Sequence, residues 1–160
     1  MKKFILTTLV FSLIQICAGT AVAADVAPWG RAHEVKRDYR QQKAVFDVTK
    51  DSPEIINRIL DRVSELSRIN NADPFDSKFI LVIHGDATPI FAIKNYTKYK
   101  TLMQRAQSLS VGGVIEFRMC RLAAKRAGLE PKDIHGFVSM VPDGDAEIIM
   151  LEQQGFAYMR

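Results

Sequence analysis

A run of five apolar residues, Phe-Ile-Leu-Val-Ile at positions 79–83, constrains the fold of this chain more than any other feature. A strand with apolar side chains on both faces must be covered on both sides, as parallel sheets between two layers of helices are. The run ends at His84 and Gly85, where the glycine interrupts the strand pattern. The sequence therefore predicts an α/β protein with a central parallel strand at this position.

Strand and helix patterns alternate on both sides of this run. Strands are predicted from β-branched and aromatic residues, and helices from apolar residues at helical spacing between capping residues and glycines. The predicted strands cover residues 44–48, 79–83, 114–119, 137–141 and 156–159, and the predicted helices start near residues 52, 96, 120 and 145. This order predicts one α/β domain over residues 42–160, a single-domain, mostly parallel sheet of about five strands with helices on both faces.

Residues 1–24 have the pattern of a secretory signal peptide. Lys2 and Lys3 form a positive start, a mostly apolar segment runs from Phe4 to Cys17, and small residues at 21–24 suit a signal peptidase. The apolar segment is too short to span a bilayer comfortably. We therefore predict an exported, periplasmic protein with no membrane segment after signal removal, and an irregular N-terminal arm over residues 25–41.

Charge and motif content argue against several classes of function. Removal of the two signal-peptide lysines lowers the formal charge from +4 to +2, which is far from the concentrated basic face of a nucleic-acid-binding domain. His33 and His135 show no metal-ligand spacing, and no glycine-rich phosphate fingerprint is present. We therefore expect no nucleic acid, metal or cofactor.

Cysteine usage points to one candidate catalytic residue. Of the two cysteines, Cys17 lies in the predicted signal peptide, so the exported chain keeps Cys120 alone. A single thiol is unusual in an oxidising compartment, where most cysteines form disulfides. Cys120 follows the predicted strand 114–119 and begins the next predicted helix. The unsatisfied N–H groups of a helix N-terminus favour a thiolate, so this placement suits a reactive sulfur.

Three further residues are predicted to support that thiolate. Arg118 and Arg121 lie close to Cys120 along the chain and supply positive charge. His84 ends the central strand at the same predicted edge of the sheet, where it can bind an anion or assist proton transfer to sulfur. The structural alternatives stay open: an imidazole at a strand end can simply bond a neighbouring carbonyl, and a lone cysteine can be a small buried hydrophobe.

Three motifs in series resemble a known family. They are His-Gly-Asp-Ala at 84–87, Gly-Val-Ile-Glu-Phe-Arg-Met-Cys at 113–120, and Val-Pro-Asp-Gly-Asp-Ala-Glu at 141–147 followed by Gly-Phe-Ala-Tyr at 155–158. In order and spacing they resemble the DsrE/DsrF-like sulfur-relay proteins, a family that includes the TusD-type subunits. The resemblance runs from about the first predicted strand to the C-terminus.

The resemblance implies a compact α/β subunit that assembles into homo-oligomers, either trimers or hexamers. It also implies that Cys120, at the position of the family's sulfur-carrying cysteine, accepts a sulfane sulfur as a persulfide and hands it on. Sulfur donor and acceptor proteins are then the expected partners. The well-understood family members work in the cytoplasm, whereas this sequence predicts export.

These observations leave three hypotheses. The leading one is an exported, sulfurtransferase-type sulfur carrier in which Cys120 becomes a persulfide, supported by His84, Arg118 and Arg121. The second is a non-enzymatic oligomeric module that binds a small anion or a partner segment and has a structural cysteine. The third is a hydrolase or reductase that depends on both Cys120 and His84, although no nucleophile elbow is visible in the sequence.

Overall fold

The computed structural model describes residues 29–39 and 41–160 of the chain. The predicted signal peptide, residues 1–24, and part of the predicted arm lie outside the described residues. The chain divides after Lys36 into two units, and the second runs from Arg37 to Arg160. Residues 29–39 contain no helix or strand. All the regular structure of the described chain belongs to the second unit, which is an α/β domain.

Five parallel strands form a single sheet in this domain. They pair in the order β4-β3-β2-β1-β5, so β2 is central and β4 and β5 are the two edges. Their bounds are β1 Lys43–Val48, β2 Lys78–Ile83, β3 Ile115–Cys120, β4 Val138–Val141 and β5 Ala157–Met159. The predicted fold class is confirmed, and each predicted strand lies within two residues of the observed one. The apolar run 79–83 is part of the central strand, where both of its apolar faces are covered by helices.

Four α-helices connect the strands, with bounds α1 Pro53–Ile69, α2 Tyr96–Ser110, α3 Arg121–Arg126 and α4 Gly144–Gln153. The chain steps in one direction from β1 to β4 and then returns past the other strands to β5. Because parallel crossovers are right-handed, a reversal of direction moves the connecting helix to the opposite face of the sheet. Side chains of α1, α2 and α3 accordingly share one core, and α4 packs in a separate core.

The two faces of the sheet differ in size and polarity. The face under α1 and α2 carries the larger core, which includes the fully buried side chains of Phe46, Leu81 and Phe117. The face under α4 buries a smaller apolar set and also carries the polar side chains of β1, β3 and β5. The chemistry described below lies at the carboxyl end of the sheet, between these two layers.

Local capping sets the start of each helix near that end. The Ser52 hydroxyl accepts a hydrogen bond from the Ile55 amide at 3.2 Å and begins α1, and the Asp143 carboxylate accepts one from the Ala146 amide at 2.8 Å and begins α4. A 3₁₀ segment from Gly85 to Phe91, which the sequence analysis did not predict, follows β2 directly. No helix in the described part of the chain is long and apolar enough to cross a membrane.

Candidate functional site

A cleft of about 560 Å³ opens at the carboxyl ends of the strands. Its walls come from the segments that follow β1, β2, β3 and β4, because parallel strands bring all of their carboxyl ends to one edge. His84 and Cys120 were predicted to lie at this edge of the sheet. Both line the same cleft, together with Asp143 and Gly144 after β4, and we call it the cysteine cleft.

Cys120 is the last residue of β3 and the N-cap of α3. Its sulfur accepts a hydrogen bond from the Ala123 amide at 3.4 Å, so the predicted placement of the thiol at a strand–helix junction is confirmed. The residue is only 5% exposed, yet it forms part of the cleft wall. The thiol is therefore neither at the surface nor sealed in the core, and a small reactant reaches it only through the cleft.

His84 is fixed by a hydrogen-bonded chain that crosses three strands. Its Nε2 lies 2.7 Å from Oδ1 of Asp47, and Oδ2 of Asp47 accepts a hydrogen bond from the Tyr158 hydroxyl, also at 2.7 Å. Because an ionised carboxylate only accepts hydrogen bonds, Nε2 carries the proton and Nδ1 is left as the acceptor in the neutral ring. The bond to Asp47 also raises the pKa of the Tyr158 phenol, which keeps that hydroxyl a donor.

The remaining nitrogen of His84 faces the side of α4. Nδ1 lies 4.0 Å from Oδ1 of Asp145, which is too long for a hydrogen bond. No hydrogen bond joins His84 to the sulfur of Cys120 in the described structure. Nδ1 of the neutral ring is therefore an acceptor with no hydrogen-bond donor among the described residues, on a ring that lines the cysteine cleft.

Gly144 brings His84 and Cys120 together. A Cβ atom added to this glycine would stand 3.1 Å from Cβ of Cys120 and 3.2 Å from Cγ of His84. The two side chains therefore almost touch the same point of the α4 backbone, and any larger residue would push one of them away. Position 144 requires glycine because the side chains of Cys120 and His84 approach its backbone so closely, and not because its φ angle is unusual.

A second glycine shapes the turn after His84. Gly85 has a φ of +56°, in the left-handed region, and a Cβ atom there would stand 3.3 Å from the carbonyl oxygen of Thr49. That same carbonyl accepts a hydrogen bond from the Ala87 amide at 3.1 Å. The 3₁₀ segment is thus tied to the end of β1, which fixes the wall of the cleft next to His84.

The two predicted arginines are not in the cleft wall. Arg118 points to the face under α4 and pairs with Glu116 and Glu147. Burial opposes its charge, but hydrogen bonds to these two carboxylates outweigh that effect and raise the pKa of Arg118. Arg121 is exposed and lies outside the cleft lining. Neither arginine supports the sulfur from within the cleft. Arg118 is already paired with two carboxylates, and Arg121 is not among the residues that line the cleft.

The cationic side chain that does line the cleft is Arg126, which the sequence analysis missed. The signal was present, because residues 123 and 126 follow Cys120 at intervals of three and so lie on the same side of a helix. Four carboxylates share the wall with Arg126: Asp51, Asp86, Asp143 and Asp145. The cysteine cleft is therefore acidic overall, although its sulfur lies at a helix start.

Asp47 and Tyr158 were also missed. Asp47 interrupts an otherwise apolar strand close to its carboxyl end, which is a readable signal for a functional carboxylate. Tyr158 gave no signal, since its contact depends on β5 pairing with β1 across the whole chain. Among the described residues, no group of three or more His, Cys, Asp and Glu side chains is placed to hold a metal ion.

Comparisons with known proteins establish the fold and nothing further. No protein-family model matches the chain, and no curated protein matches it. The structure is similar to that of MTH1491, a protein of unknown function from Methanobacterium thermoautotrophicum. The TM-score is 0.60 at 18% sequence identity, and the match covers 74% of this chain and 98% of that one. At this identity the likeness supports the α/β architecture alone.

Proposed function

We propose that this protein is a sulfur carrier in which the sulfur of Cys120 holds a transferable sulfane sulfur. The observation that carries the proposal is the position of the thiol, on the wall of an open cleft, at the start of α3 and beside His84. The amide of Ala123 already donates to this sulfur, and such a donor stabilises negative charge on it. The resemblance to the DsrE/DsrF-like proteins supports the same role.

The chemical step exchanges one sulfur–sulfur bond for another. The Cys120 thiolate attacks the outer sulfur of a persulfide donor, a bond forms between the two sulfurs, and the donor leaves as a thiolate. An acceptor thiolate then attacks the outer sulfur on Cys120 and regenerates the free cysteine. No external oxidant or reductant is consumed, because the sulfane sulfur keeps its oxidation state throughout. A lone cysteine suits this cycle, since no second cysteine of the exported chain can close an internal disulfide.

His84 is proposed to take the proton from the Cys120 thiol. Asp47 holds Nε2 of the ring, so Nδ1 is the basic nitrogen, and Asp47 also stabilises the imidazolium that forms. Both side chains lie against Gly144, and no hydrogen bond joins the ring to the sulfur in the resting structure. Hydrogen bonds of this kind often tighten only when the reactant is bound.

The negative charge of the cysteine cleft determines which sulfur donors can approach Cys120. Four carboxylates against Arg126 repel an anionic donor such as free thiosulfate and favour a neutral donor or a basic segment of a partner protein. We propose that the donor and acceptor are proteins of this kind, that the carrier is exported to the periplasm, and that it functions as a homo-oligomer, a trimer or a hexamer.

Persulfide formation on the protein tests the proposal directly. The purified chain is incubated with polysulfide or with thiosulfate, and intact mass is read for a gain of one sulfur. We expect the gain in the wild type and none in Cys120→Ser. Alkylation with iodoacetamide in the folded state is the companion measurement. A thiol that gains no sulfur and reacts with iodoacetamide only after denaturation would refute the carrier and leave the binding module with a structural cysteine.

A Cys-dependent hydrolase is the second candidate, because the structure contains an Asp47–His84 pair next to a cysteine. It predicts turnover of an activated ester with a burst of acyl-enzyme. Turnover would have to disappear in both Cys120→Ser and His84→Gln. A carrier gains one sulfur per chain and stops, so the absence of multiple turnover separates the two functions.

A further inference from the structure

A second cleft lies at the same edge of the sheet, on the other side of Asp47. It has a volume of about 650 Å³, within the range of small-molecule sites, and is formed by the end of β1 and the first turns of α1. We call it the basic cleft, because Lys50, Arg58, Arg62 and Arg160 line it. Neither Cys120 nor His84 belongs to its wall.

Among the described residues, Asp47 is the only one whose side chain brings a carboxylate to the wall of the basic cleft, and both of its oxygens are occupied. They accept hydrogen bonds from His84 and from Tyr158. Lys50, Arg58 and Arg62 form no ion pair with a side-chain carboxylate within 4.0 Å among the described residues. Four cationic side chains in the wall against one side-chain carboxylate give the cleft an excess of positive charge.

Arg58 and Arg62 stand one helical turn apart on α1. Like charges at this spacing repel each other and destabilise a helix unless an anion lies between them. Glu54 precedes Arg58 by one turn, and its pKa is lowered by a hydrogen bond to its own backbone, then by Ser52, and last by the charge of Arg58. Glu54 is not part of the cleft wall, so its charge does not replace an anion inside the cleft.

Arg62 is already held in place. Its guanidinium lies over the ring of Phe46 at 5.5 Å from the centroid, and its NH1 donates to a main-chain oxygen of Arg160 at 2.5 Å. A guanidinium that is fixed before binding loses little conformational entropy when it meets an anion. Ile55 and Ile59 add an apolar surface beside these charges, which suits a ligand with a non-polar part.

We propose that the basic cleft binds a small molecule that bears a multivalent oxyanion, such as a diphosphate group, between Lys50, Arg58 and Arg62. Arginine donates paired N–H groups whose geometry fits phosphate oxygens, and lysine adds a point charge. The site is independent of Cys120 and so does not rest on the sulfur-carrier function.

Titration with inorganic pyrophosphate, followed by calorimetry at low ionic strength, tests this site. The wild-type chain should bind one pyrophosphate saturably, and Arg58→Gln should weaken binding at least about tenfold. The matched control is Arg68→Gln on the same helix, since Arg68 is also exposed to solvent but pairs with Glu65 outside the cleft. It should change the affinity less than about twofold. Lys50→Gln should weaken binding as Arg58→Gln does, and the Lys50 side chain has no hydrogen bond or ion pair to the described residues that the substitution would remove.

Two results would overturn the proposal. One is the absence of saturable binding at millimolar pyrophosphate, and the other is equal weakening by Arg58→Gln and Arg68→Gln, which would mean a general effect of net charge. Cys120→Ser should bind pyrophosphate as the wild type does. Failure of sulfur uptake therefore leaves this site untouched, and failure of pyrophosphate binding leaves the sulfur carrier untouched.

Discussion

Two clefts with opposite charge lie side by side at the carboxyl edge of one sheet. The cysteine cleft has four carboxylates against Arg126, and the basic cleft has four cations against Asp47. Asp47 belongs to the wall of the second and holds His84, which belongs to the wall of the first. One carboxylate therefore stands at the boundary between the two electrostatic environments.

The difference explains which ligand each cleft can take. A negative wall raises the local concentration of cations and lowers that of anions, and the effect is strongest inside a concave, partly dry site. An anionic ligand is directed to the arginines, and the sulfur of Cys120 is left to neutral or cationic reactants. The parallel sheet makes this division possible, because it brings the loops of different strands to one edge with different charges.

The Asp47→Asn variant should give the largest effect, with opposite sign in the two clefts. An asparagine can donate to Nε2 and so favours the wrong tautomer of His84, and it cannot stabilise the imidazolium. We expect sulfur uptake by Cys120 at neutral pH to slow by about a hundredfold. Pyrophosphate should bind several-fold more tightly, because the substitution removes a negative charge from the wall of the basic cleft.

Tyr158→Phe is the control for this variant, because it removes the second hydrogen bond to Asp47 and keeps the bond to His84. It should slow sulfur uptake by less than about threefold. Uptake rates come from intact mass and affinities from calorimetry. Equal loss of both activities in Asp47→Asn would mean a damaged fold, and an unchanged uptake rate would remove His84 and Asp47 from the mechanism.

The Arg118→Met variant tests a charge that lies outside both clefts. Loss of the guanidinium leaves Glu147, which is 9% exposed, without its partner. Breaking a fully buried pair costs about 3 to 5 kcal/mol, and we expect about 2 to 3 kcal/mol here because Arg118 retains contact with solvent. Urea unfolding measures the loss, and sulfur uptake should stay within about twofold of the wild type. Slow uptake at unchanged stability would instead restore Arg118 as a support of Cys120.

The same variant should change the response to acid. Burial acts to raise the pKa of Glu116, but hydrogen bonds from Lys78 and Arg118 outweigh it and lower that pKa. A carboxyl with a lowered pKa contributes stability that is fully present above its ordinary value of 4.5 and is lost as the pH falls through the value in the folded state. The unfolding free energy of Arg118→Met should therefore fall less steeply below pH 4.5 than that of the wild type.

The fold was readable from the sequence because local and global signals agree. Apolar runs, caps and glycines mark every strand and α-helix of the domain, and the alternation of strand and helix leaves few ways to arrange them. The position of Cys120 followed from the same signals, since a strand end and a helix start meet at that residue.

The side chains around Cys120 could be predicted from the sequence only in part. Proximity along the chain suggested Arg118 and Arg121, but alternation along a strand and rotation around a helix decide where such side chains point. The order of strands in the sheet was not evident from the sequence, and it is this order that brings Tyr158 and His84 to Asp47. The sign of charge in the cysteine cleft depends on the segments after four different strands, so it could not be derived before those segments were placed.

The negative charge of the cysteine cleft can be measured directly by alkylation of Cys120, although the expected effect is smaller than those above. Iodoacetamide and iodoacetate alkylate a thiol in the same way and differ in one negative charge. We expect the folded wild type to favour the neutral reagent over the anionic one by roughly threefold to tenfold more than the denatured chain does. Asp145→Asn, which removes a carboxylate from the wall near His84, should reduce this preference, and the matched variant Glu152→Gln, on the same helix but outside the cleft, should not. An equal preference in the folded and denatured states would mean that Arg126 and the helix start offset the carboxylates, and anionic sulfur donors would then be as suitable as neutral ones.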